Sequence, residues 1–158
     1  MRIIFLDIDG VLNHQHTKER IHGCLGIDPI RVHRLANIVK ETGAQVVLTS
    51  TWKMDWKPCT DSSKLNAYGQ YRVNALLQED IHIFDKTVDD GMNRGKGILM
   101  WLNNHPVESF VILDDELFDY RKCELLPHVV KSTFYEADGG LGDTHVSQAI
   151  QILNGGSL

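Results

Sequence analysis

The sequence predicts a doubly wound α/β fold, a mainly parallel sheet of about five strands with helices on both faces. Short apolar segments of strand length recur along the chain, and segments of helical period lie between them. Three of the apolar segments lack the alternation of polar residues that marks a sheet facing solvent. With 158 residues the chain can bury one core, so we expect a single domain over residues 1–158.

Clusters of β-branched and leucine side chains give the strand predictions. We predict strands at residues 3–6, 45–48, 81–84, 109–113 and 128–131, of which 81–84 has the weakest pattern. Segments 3–6, 45–48 and 109–113 are the three without polar alternation, as in parallel strands covered on both faces. In such Rossmann-like folds the reacting groups lie beyond the carboxyl ends of the strands, and a site is expected there.

Helix signals separate the strands. Asp28-Pro29 is an N-cap followed by proline at the first helical position, and apolar residues repeat at helical spacing from there to Gly43. Two further helices are predicted at 94–104 and 144–153. The polar segment 53–70 shows no clean period.

Composition and charge are those of an ordinary globular protein. Hydrophobic residues make up 42% and charged residues 23% of the chain. The net charge of −5 argues against nucleic-acid binding by overall charge. We expect the local basic clusters, including Arg31 to Arg34 and Lys53 to Lys57, to be solvated surface.

A cytoplasmic location without a membrane partner is expected. No apolar segment approaches the length of a membrane span, and Met1-Arg2 leads directly into the first predicted strand without a signal peptide. Cys24, Cys59 and Cys123 show neither a disulfide framework nor a zinc pattern, which suits a reducing compartment.

Acidic side chains follow two of the predicted strands. Asp7 and Asp9 come directly after segment 3–6, and Asp114 and Asp115 after segment 109–113. If these strands are neighbours, four carboxylates meet at one edge of the sheet, where they repel one another and are costly to bury. A divalent cation that prefers oxygen ligands relieves this repulsion, and carboxylates suit Mg²⁺. The sequence therefore predicts a magnesium site.

Hydroxyl and cationic side chains accompany these carboxylates. Thr49 ends segment 45–48, where its hydroxyl can donate to a phosphate oxygen, and Arg94 and Lys96 start a predicted helix. A metal, a hydroxyl, a cation and a spare carboxylate are the parts that phosphoryl transfer requires. Each part alone is a common structural feature, such as a strand end or a helix cap, but their order and their places at strand ends favour a phosphoryl-transfer site.

The motifs resemble those of haloacid-dehalogenase-like (HAD) phosphatases. Asp7-Ile8-Asp9-Gly10-Val11-Leu12 resembles the first HAD motif, and Val46-Val47-Leu48-Thr49 resembles the second. Arg94 or Lys96 resembles the basic third motif, and Leu113-Asp114-Asp115 the acidic fourth. The resemblance extends from Ile3 to about Leu141. Thr49-Ser50-Thr51-Trp52 and Arg94-Gly95-Lys96-Gly97-Ile98 further resemble the small HAD domains of RNA-repair proteins.

The resemblance implies a role for each matching residue. Asp7 is expected to attack phosphorus and form an aspartyl-phosphate, while Asp9 protonates the leaving oxygen and later deprotonates water. The implied Mg²⁺ ligands are Asp7, the main-chain carbonyl of Asp9, and Asp114, with Asp115 acting directly or through water. Family members that cleave carbon–halogen bonds lack an acid at the position of Asp9, so this residue favours phosphate chemistry.

The resemblance also implies contacts to the transferring phosphoryl group. Thr49, with Ser50 and Gly10, is expected to bind it, and a basic residue is expected to neutralise it and to hold Asp7 ionised. Arg94 stands four residues before Ile98, the spacing of the usual lysine, and is our first choice. Lys96 is the alternative.

Neither usual insertion point has room for a full cap domain. About fifteen residues separate Leu12 from Asp28, enough for a flap only. The segment between Trp52 and Asp90 must also supply a helix and a strand. An open site suits large substrates, so we expect a terminal phosphate on RNA or DNA, with a nucleotide or other small phosphoester as the alternative. The sequence identifies no protein partner.

Residues near the rim have open interpretations. Lys53 is a candidate substrate contact, and Trp52 either stacks on a base or packs against the neighbouring loop. His14 and His16 have no further residue at ligand spacing, and we expect both on the surface.

Two rival classes are doubly wound as well. A receiver-type phosphoacceptor domain carries its acceptor aspartate on the third strand, and Asp7-Ile8-Asp9 followed by Gly-Val-Leu does not fit that arrangement. A non-catalytic binding module on a HAD scaffold is the other rival. Intact Asp7, Asp9, Thr49 and Asp114 favour activity.

Overall fold

The computed structural model describes residues 1–58 and 61–156, so Cys59 lies outside the described residues. The strands are β1 (Arg2–Leu6), β2 (Arg20–Ile21), β3 (Cys24–Leu25), β4 (Gln45–Leu48), β5 (Ile83–Lys86), β6 (Ser109–Asp114) and β7 (Val129–Lys131). The α-helices are α1 (Pro29–Thr42), α2 (Ala67–Leu77), α3 (Arg94–Asn103) and α4 (Asp143–Leu153). Short 3₁₀ helices cover Thr51–Asp55, Ser62–Lys64 and Leu126–His128.

Five parallel strands form the main sheet in the order β5-β4-β1-β6-β7. In the centre, Leu6 of β1 lies in register with Leu48 of β4 and Leu113 of β6, so these three strands end at the same level. The order reverses at β1, and its two neighbours follow different helices, which is the doubly wound arrangement. The predicted α/β class and its five-stranded parallel sheet are confirmed.

Two apolar cores cover the two faces of the sheet. Ile4 and Leu6 of β1 join the larger core, which also contains Leu35 of α1 and Ile152 of α4. Ile3 and Phe5 point the other way into a second core with Trp101 of α3. Burial of each such side chain contributes about 1.5–3 kcal/mol, which explains why β1 has no polar alternation.

The predicted helix ends are reproduced where a cap marks them. Asp28 accepts a hydrogen bond from Ile30 N at 2.9 Å before α1, and Gly43 ends α1 in the left-handed conformation at φ 66°. Helices α3 and α4 each lie within one residue of their predicted ends.

Parts of the fold differ from the sequence-based prediction or add to it. Helix α2 is the helix expected between Trp52 and Asp90, for which the sequence predicted no bounds, and β5 runs two residues later than predicted. The flap after β1 contains an antiparallel hairpin of β2 and β3, turned by His22 and Gly23, both with positive φ.

The described ranges contain no inserted cap domain. The hairpin β2–β3 occupies the first insertion point, and α2 with two 3₁₀ helices precedes β5 at the second. The expectation of a chain without a full cap is therefore confirmed. No helix within these ranges combines the length and apolar character needed to cross a bilayer.

Candidate active site

Three carboxylates meet at the carboxyl ends of β1 and its neighbour β6. Asp7 follows β1, Asp114 ends β6, and Asp115 is next in the chain. The hydrogen-bond ladder continues past β1, since Asp7 N donates to Leu113 O at 2.9 Å, and this places Asp7 beside Asp114. Oxygen atoms of all three side chains lie within 4.8 Å of one another, so this acidic cluster can hold a metal ion.

Burial and mutual repulsion disfavour the charged form of the cluster. The side chain of Asp114 is fully buried, and burial with the negative charge of Asp7 raises its pKa well above the usual range. The same two causes raise the pKa of Asp115 to about 6. A cation at this position counters both the burial and the repulsion. Its positive charge replaces the favourable interaction with water that burial removes, and it offsets the repulsion between the carboxylates.

One guanidinium spans two of these carboxylates. Arg94, the first residue of α3, places Nη1 at 2.8 Å from Asp7 Oδ2 and at 3.0 Å from Asp114 Oδ2. Burial disfavours the charged form of Arg94, but the two carboxylates outweigh burial and raise the pKa of Arg94 above its usual value. The guanidinium also lies 4.0 Å from the centre of the Phe118 ring. The structure thus brings Arg94 to Asp7, whereas Lys96 is exposed.

Tyr120 is a neighbour of the site that the sequence did not predict. Its buried hydroxyl donates to Asp114 Oδ2 at 2.6 Å, so that oxygen receives donors from both Arg94 and Tyr120. Glu116 N donates to the other oxygen of Asp114 at 3.0 Å. The carboxylate of Asp114 is therefore held in one orientation. No local pattern around Tyr120 announces this contact, which depends on the tertiary fold.

Asp9 lies in the same cleft as Asp7 but outside the acidic cluster. Its Oδ1 accepts a hydrogen bond from Asn13 Nδ2 and its Oδ2 one from Trp52 Nε1, both at 2.8 Å. A face of the Trp52 ring packs against Arg72, whose guanidinium carbon is 3.6 Å from the ring centre. Of the two interpretations of Trp52, the structure supports packing, and it adds the hydrogen bond to Asp9.

Thr49 is aligned with Asp7 across the sheet. Its backbone N donates to Leu6 O at 2.9 Å, which continues the β1–β4 ladder to the level of Asp7. The hydroxyl of Thr49 is buried and has no hydrogen-bond partner among the described residues. An unpaired buried hydroxyl is costly, and the hydroxyl proton of Thr49 remains available to a hydrogen-bond acceptor. Ser50 is also buried, and its hydroxyl accepts from Trp52 N at 3.3 Å to cap the 3₁₀ helix Thr51–Asp55.

Lys53 does not take the place expected of a substrate contact. Its side chain is buried, and Nζ donates to Asp89 Oδ2 at 2.6 Å, Thr49 O at 3.2 Å and Thr87 Oγ1 at 3.3 Å. All three ammonium protons are therefore used within the fold. This corrects both the expected substrate contact and the expected solvated cluster at Lys53.

Gly10 has a steric role beside the acidic cluster. A Cβ built on Gly10 would lie 2.2 Å from Asp115 Cγ, and its φ of 73° is left-handed. Glycine at this position lets Asp115 approach the chain that follows β1. The Gly10 carbonyl accepts a hydrogen bond from Ser132 Oγ, and Gly10 N donates to Asn13 Oδ1 at 3.1 Å.

An open cleft of about 420 Å³ lies over these groups. Its floor contains Asp7, Asp9, Arg94 and Asp115. Its rim is largely apolar and includes Leu25 of the flap hairpin with Phe118, Phe134 and Tyr135. Tyr135 is 77% exposed. The cleft therefore combines a charged floor with an aromatic wall.

Of the two flap histidines expected on the surface, one is buried. His16 is exposed, as expected, but His14 is buried and lies 4.0 Å from Asp28 Oδ2. Arg31 is likewise buried within a predicted solvated cluster, because it pairs with Asp28 and Asp138. Both residues are therefore buried beside Asp28, the residue that caps α1.

The family comparison agrees with the motifs. A family model described as the HAD domain in Swiss Army Knife RNA repair proteins matches residues 3–146. Neither the curated proteins nor the solved structures gave a match. The matched range covers the second core, most of the larger core and all the acidic residues of the site, from Asp7 to Asp115. The chain belongs to the family of HAD domains found in Swiss Army Knife RNA repair proteins, and its acidic cluster of Asp7, Asp114 and Asp115 is consistent with a HAD active site.

Proposed function

We propose that this domain is a magnesium-dependent phosphohydrolase that removes a phosphate monoester through an aspartyl-phosphate. The observation that carries the proposal is the set of residues around Asp7. Asp7 contacts Arg94 at 2.8 Å, shares a cluster with Asp114 and Asp115, and shares a cleft with Asp9. The proposed nucleophile, a fixed cation and the proposed acid/base thus line one cleft together with Asp115, and Asp114 lies beside them.

The acidic cluster fits Mg²⁺ by its donor chemistry. Asp7, Asp114 and Asp115 offer only oxygen ligands, and the cluster contains no histidine or cysteine. These three side chains would hold the ion, together with the main-chain carbonyl of Asp9. Bound Mg²⁺ would neutralise the phosphoryl oxygens and stabilise the charge that develops during transfer.

In the first step Asp7 attacks phosphorus. The bond from phosphorus to the leaving oxygen breaks while a bond to the Asp7 carboxylate forms, and Asp9 gives its proton to the leaving oxygen. Arg94 compensates the negative charge of Asp7 and of the transferring group. Thr49 donates its free hydroxyl proton to a phosphoryl oxygen, which satisfies the buried atom.

In the second step water hydrolyses the aspartyl-phosphate. Asp9, now ionised, takes a proton from the water as its oxygen attacks phosphorus. The bond from phosphorus to Asp7 breaks, and inorganic phosphate leaves. Asp9 is protonated again and Asp7 is a free carboxylate, so the starting state is restored.

A terminal phosphate on a nucleic acid is the substrate we favour. The family match to RNA-repair proteins supports it, and so does the aromatic rim with Phe134 and the exposed Tyr135, because aromatic rings bind unpaired bases by stacking. The lack of a cap leaves room for a polymer end. A nucleotide is the second candidate, since the same rim can take a single base.

The first test is Mg²⁺-dependent hydrolysis of p-nitrophenyl phosphate by wild type and Asp7→Asn. We expect release of p-nitrophenol that requires Mg²⁺, stops with EDTA and falls at least about a thousandfold in Asp7→Asn, as for loss of a covalent nucleophile. Asp80→Asn is the matched control, because Asp80 is exposed and precedes β5 at the opposite end of the sheet. Equal rates in Asp7→Asn and wild type would contradict the proposed nucleophile.

A substrate panel then separates the candidates. RNA and DNA oligonucleotides with a 3′- or 5′-phosphate are compared with mononucleotides and with small phosphoesters. Preference for an oligonucleotide end supports the favoured substrate, whereas preference for mononucleotides supports a nucleotidase. Failure of every substrate, with p-nitrophenyl phosphate also inert, would move the assignment to a non-catalytic binding module.

A further inference from the structure

Both carboxylate oxygens of Asp9 are held by side-chain N–H donors. Asn13 Nδ2 donates to Oδ1 and Trp52 Nε1 donates to Oδ2, each at 2.8 Å. The two donors come from different parts of the chain, since Asn13 begins the flap and Trp52 lies in the 3₁₀ helix after β4. Asp9 is therefore clamped between two elements.

The two donors are themselves fixed. Asn13 Oδ1 accepts from Gly10 N at 3.1 Å, and Asn13 Nδ2 also donates to Gly26 O at 3.0 Å. The ring of Trp52 packs under Arg72, which forms an ion pair with Asp55 of the same 3₁₀ helix. Neither donor can follow a rotation of the Asp9 carboxylate without breaking these contacts.

This clamp limits the rotation of the carboxylate. The terminal torsion of an aspartate is soft and broad, so a carboxylate without partners samples many orientations. Each oxygen has two lone pairs, and each donor occupies only one of them. One lone pair per oxygen stays free to carry a proton, in a direction that the clamp defines. Proton transfer depends strongly on such alignment.

We infer that Trp52 is a positioning residue for proton transfer, because its indole N–H orients Asp9 toward the leaving-group oxygen. The inference rests on the proposed phosphohydrolase function. Asp9 gives its proton to the leaving oxygen as the bond from phosphorus to that oxygen breaks and the bond to Asp7 forms. Trp52 touches neither the substrate nor the phosphorus and acts only through Asp9.

The leaving group distinguishes this role from a general structural one. Phenol is a much weaker acid than p-nitrophenol, so departure of phenoxide needs protonation far more than departure of p-nitrophenoxide. The two phosphate esters have nearly the same shape. Their kcat/KM values report the steps up to formation of the aspartyl-phosphate, and therefore only the acid role of Asp9.

The experiment compares wild type and Trp52→Phe with both esters in the presence of Mg²⁺. We expect kcat/KM for phenyl phosphate to fall at least about tenfold, part of the 10²–10⁴ that general acid catalysis supplies, while p-nitrophenyl phosphate falls about twofold or less. Trp56→Phe is the matched control, because Trp56 is a second buried tryptophan directly after the same 3₁₀ helix and lies outside the clamp, whose donors to Asp9 are Asn13 and Trp52. Its ratio between the two esters should equal that of wild type.

A second variant at position 52 separates loss of the N–H from the loss of packing that Trp52→Phe also causes. Benzothienylalanine at position 52 keeps the double ring and replaces the N–H by sulfur, and it should show the same selective loss. Equal losses for both esters, or no loss for either, would overturn the positioning role. If the wild type hydrolyses neither ester, the proposed function itself fails. This result differs from a failure of the positioning role, because it is seen in the wild type before any variant is compared.

Discussion

Arg94 is the residue on which the charge balance of the site depends. It contacts Asp7 and Asp114 at 2.8 and 3.0 Å, and it is the sole cation that lines the floor of the cleft among the described residues. One nitrogen, Nη1, makes both contacts, and a guanidinium stays charged at any working pH. Activity should therefore depend on position 94 and not on position 96.

The variants Arg94→Met and Lys96→Met test this directly. We expect Arg94→Met to lower kcat about 10²–10³-fold, the loss typical of removing one preorganised donor from a charge-stabilising site. Lys96→Met should retain the wild-type kcat, because Lys96 is exposed. Steady-state hydrolysis of p-nitrophenyl phosphate measures both. The opposite result, with Lys96→Met inactive, would return Lys96 to the third-motif position.

At the residue scale, the ends of the strands made the position of the acidic cluster predictable. Parallel strands that end at one level bring Asp7, Thr49 and Asp114 together wherever they lie in the chain. The partners of these residues were not predictable. Tyr120 and Trp52 reach Asp114 and Asp9 through the tertiary fold, and a tyrosine or tryptophan in a polar segment carries no signal for such a contact.

At the scale of elements, a buried ion pair joins the segments that follow β4 and β5. Lys53 Nζ contacts Asp89 Oδ2 at 2.6 Å, with 6% and 1% of the two side chains exposed. Lys53 also donates to Thr49 O, so the pair fixes the main chain that carries Thr49. A buried charge that loses its partner is strongly destabilising.

Urea unfolding of Lys53→Met, Asp89→Asn and the double variant tests this pair. Each single variant should lower the free energy of unfolding by about 3–5 kcal/mol, because it leaves one buried charge without its partner. The double variant should lose less than the sum of the two. Glu108→Gln breaks the exposed Arg2–Glu108 pair and should cost at most about 1 kcal/mol. Additive losses would show that the two charges do not interact.

Elements with a cap, a uniform apolar run or a clear helical period were predictable, and elements with a weak apolar pattern were not. Helix α1 has Asp28 and Gly43 at its ends, and β1 is apolar on both faces. Helix α2 buries only Gly69 and Leu76 fully, so its apolar pattern is weak. Strand β5 lies at the edge of the sheet and has no fully buried residue, and therefore its position was two residues off.

At the scale of the whole molecule, metal binding and proton binding compete for one cluster. Burial and the charge of Asp7 raise the pKa of Asp114 to about 7 and that of Asp115 to about 6, while an unfolded aspartate titrates near about 3.9. Between about pH 4 and about pH 7, the folded protein without metal therefore binds more protons than the unfolded chain. The stability that these two groups contribute is complete below about pH 4 and is lost as the pH rises to about 7.

Mg²⁺ should therefore raise the Tm more at pH 8 than at pH 5, because at pH 5 it must displace protons from Asp114 and Asp115. At a hundred times its Kd the ion would stabilise the fold by about 2.7 kcal/mol, or about 5–10 °C in Tm for a chain of this size. Thermal unfolding in Mg²⁺ and in EDTA at the two pH values measures the difference. Asp114→Asn should lose most of the Mg²⁺-dependent shift at pH 8, since it removes a ligand and the group with the higher pKa. Equal shifts at both pH values in wild type would contradict binding of the ion at this cluster, because an exposed site far from these carboxyls has no protons to displace in that range.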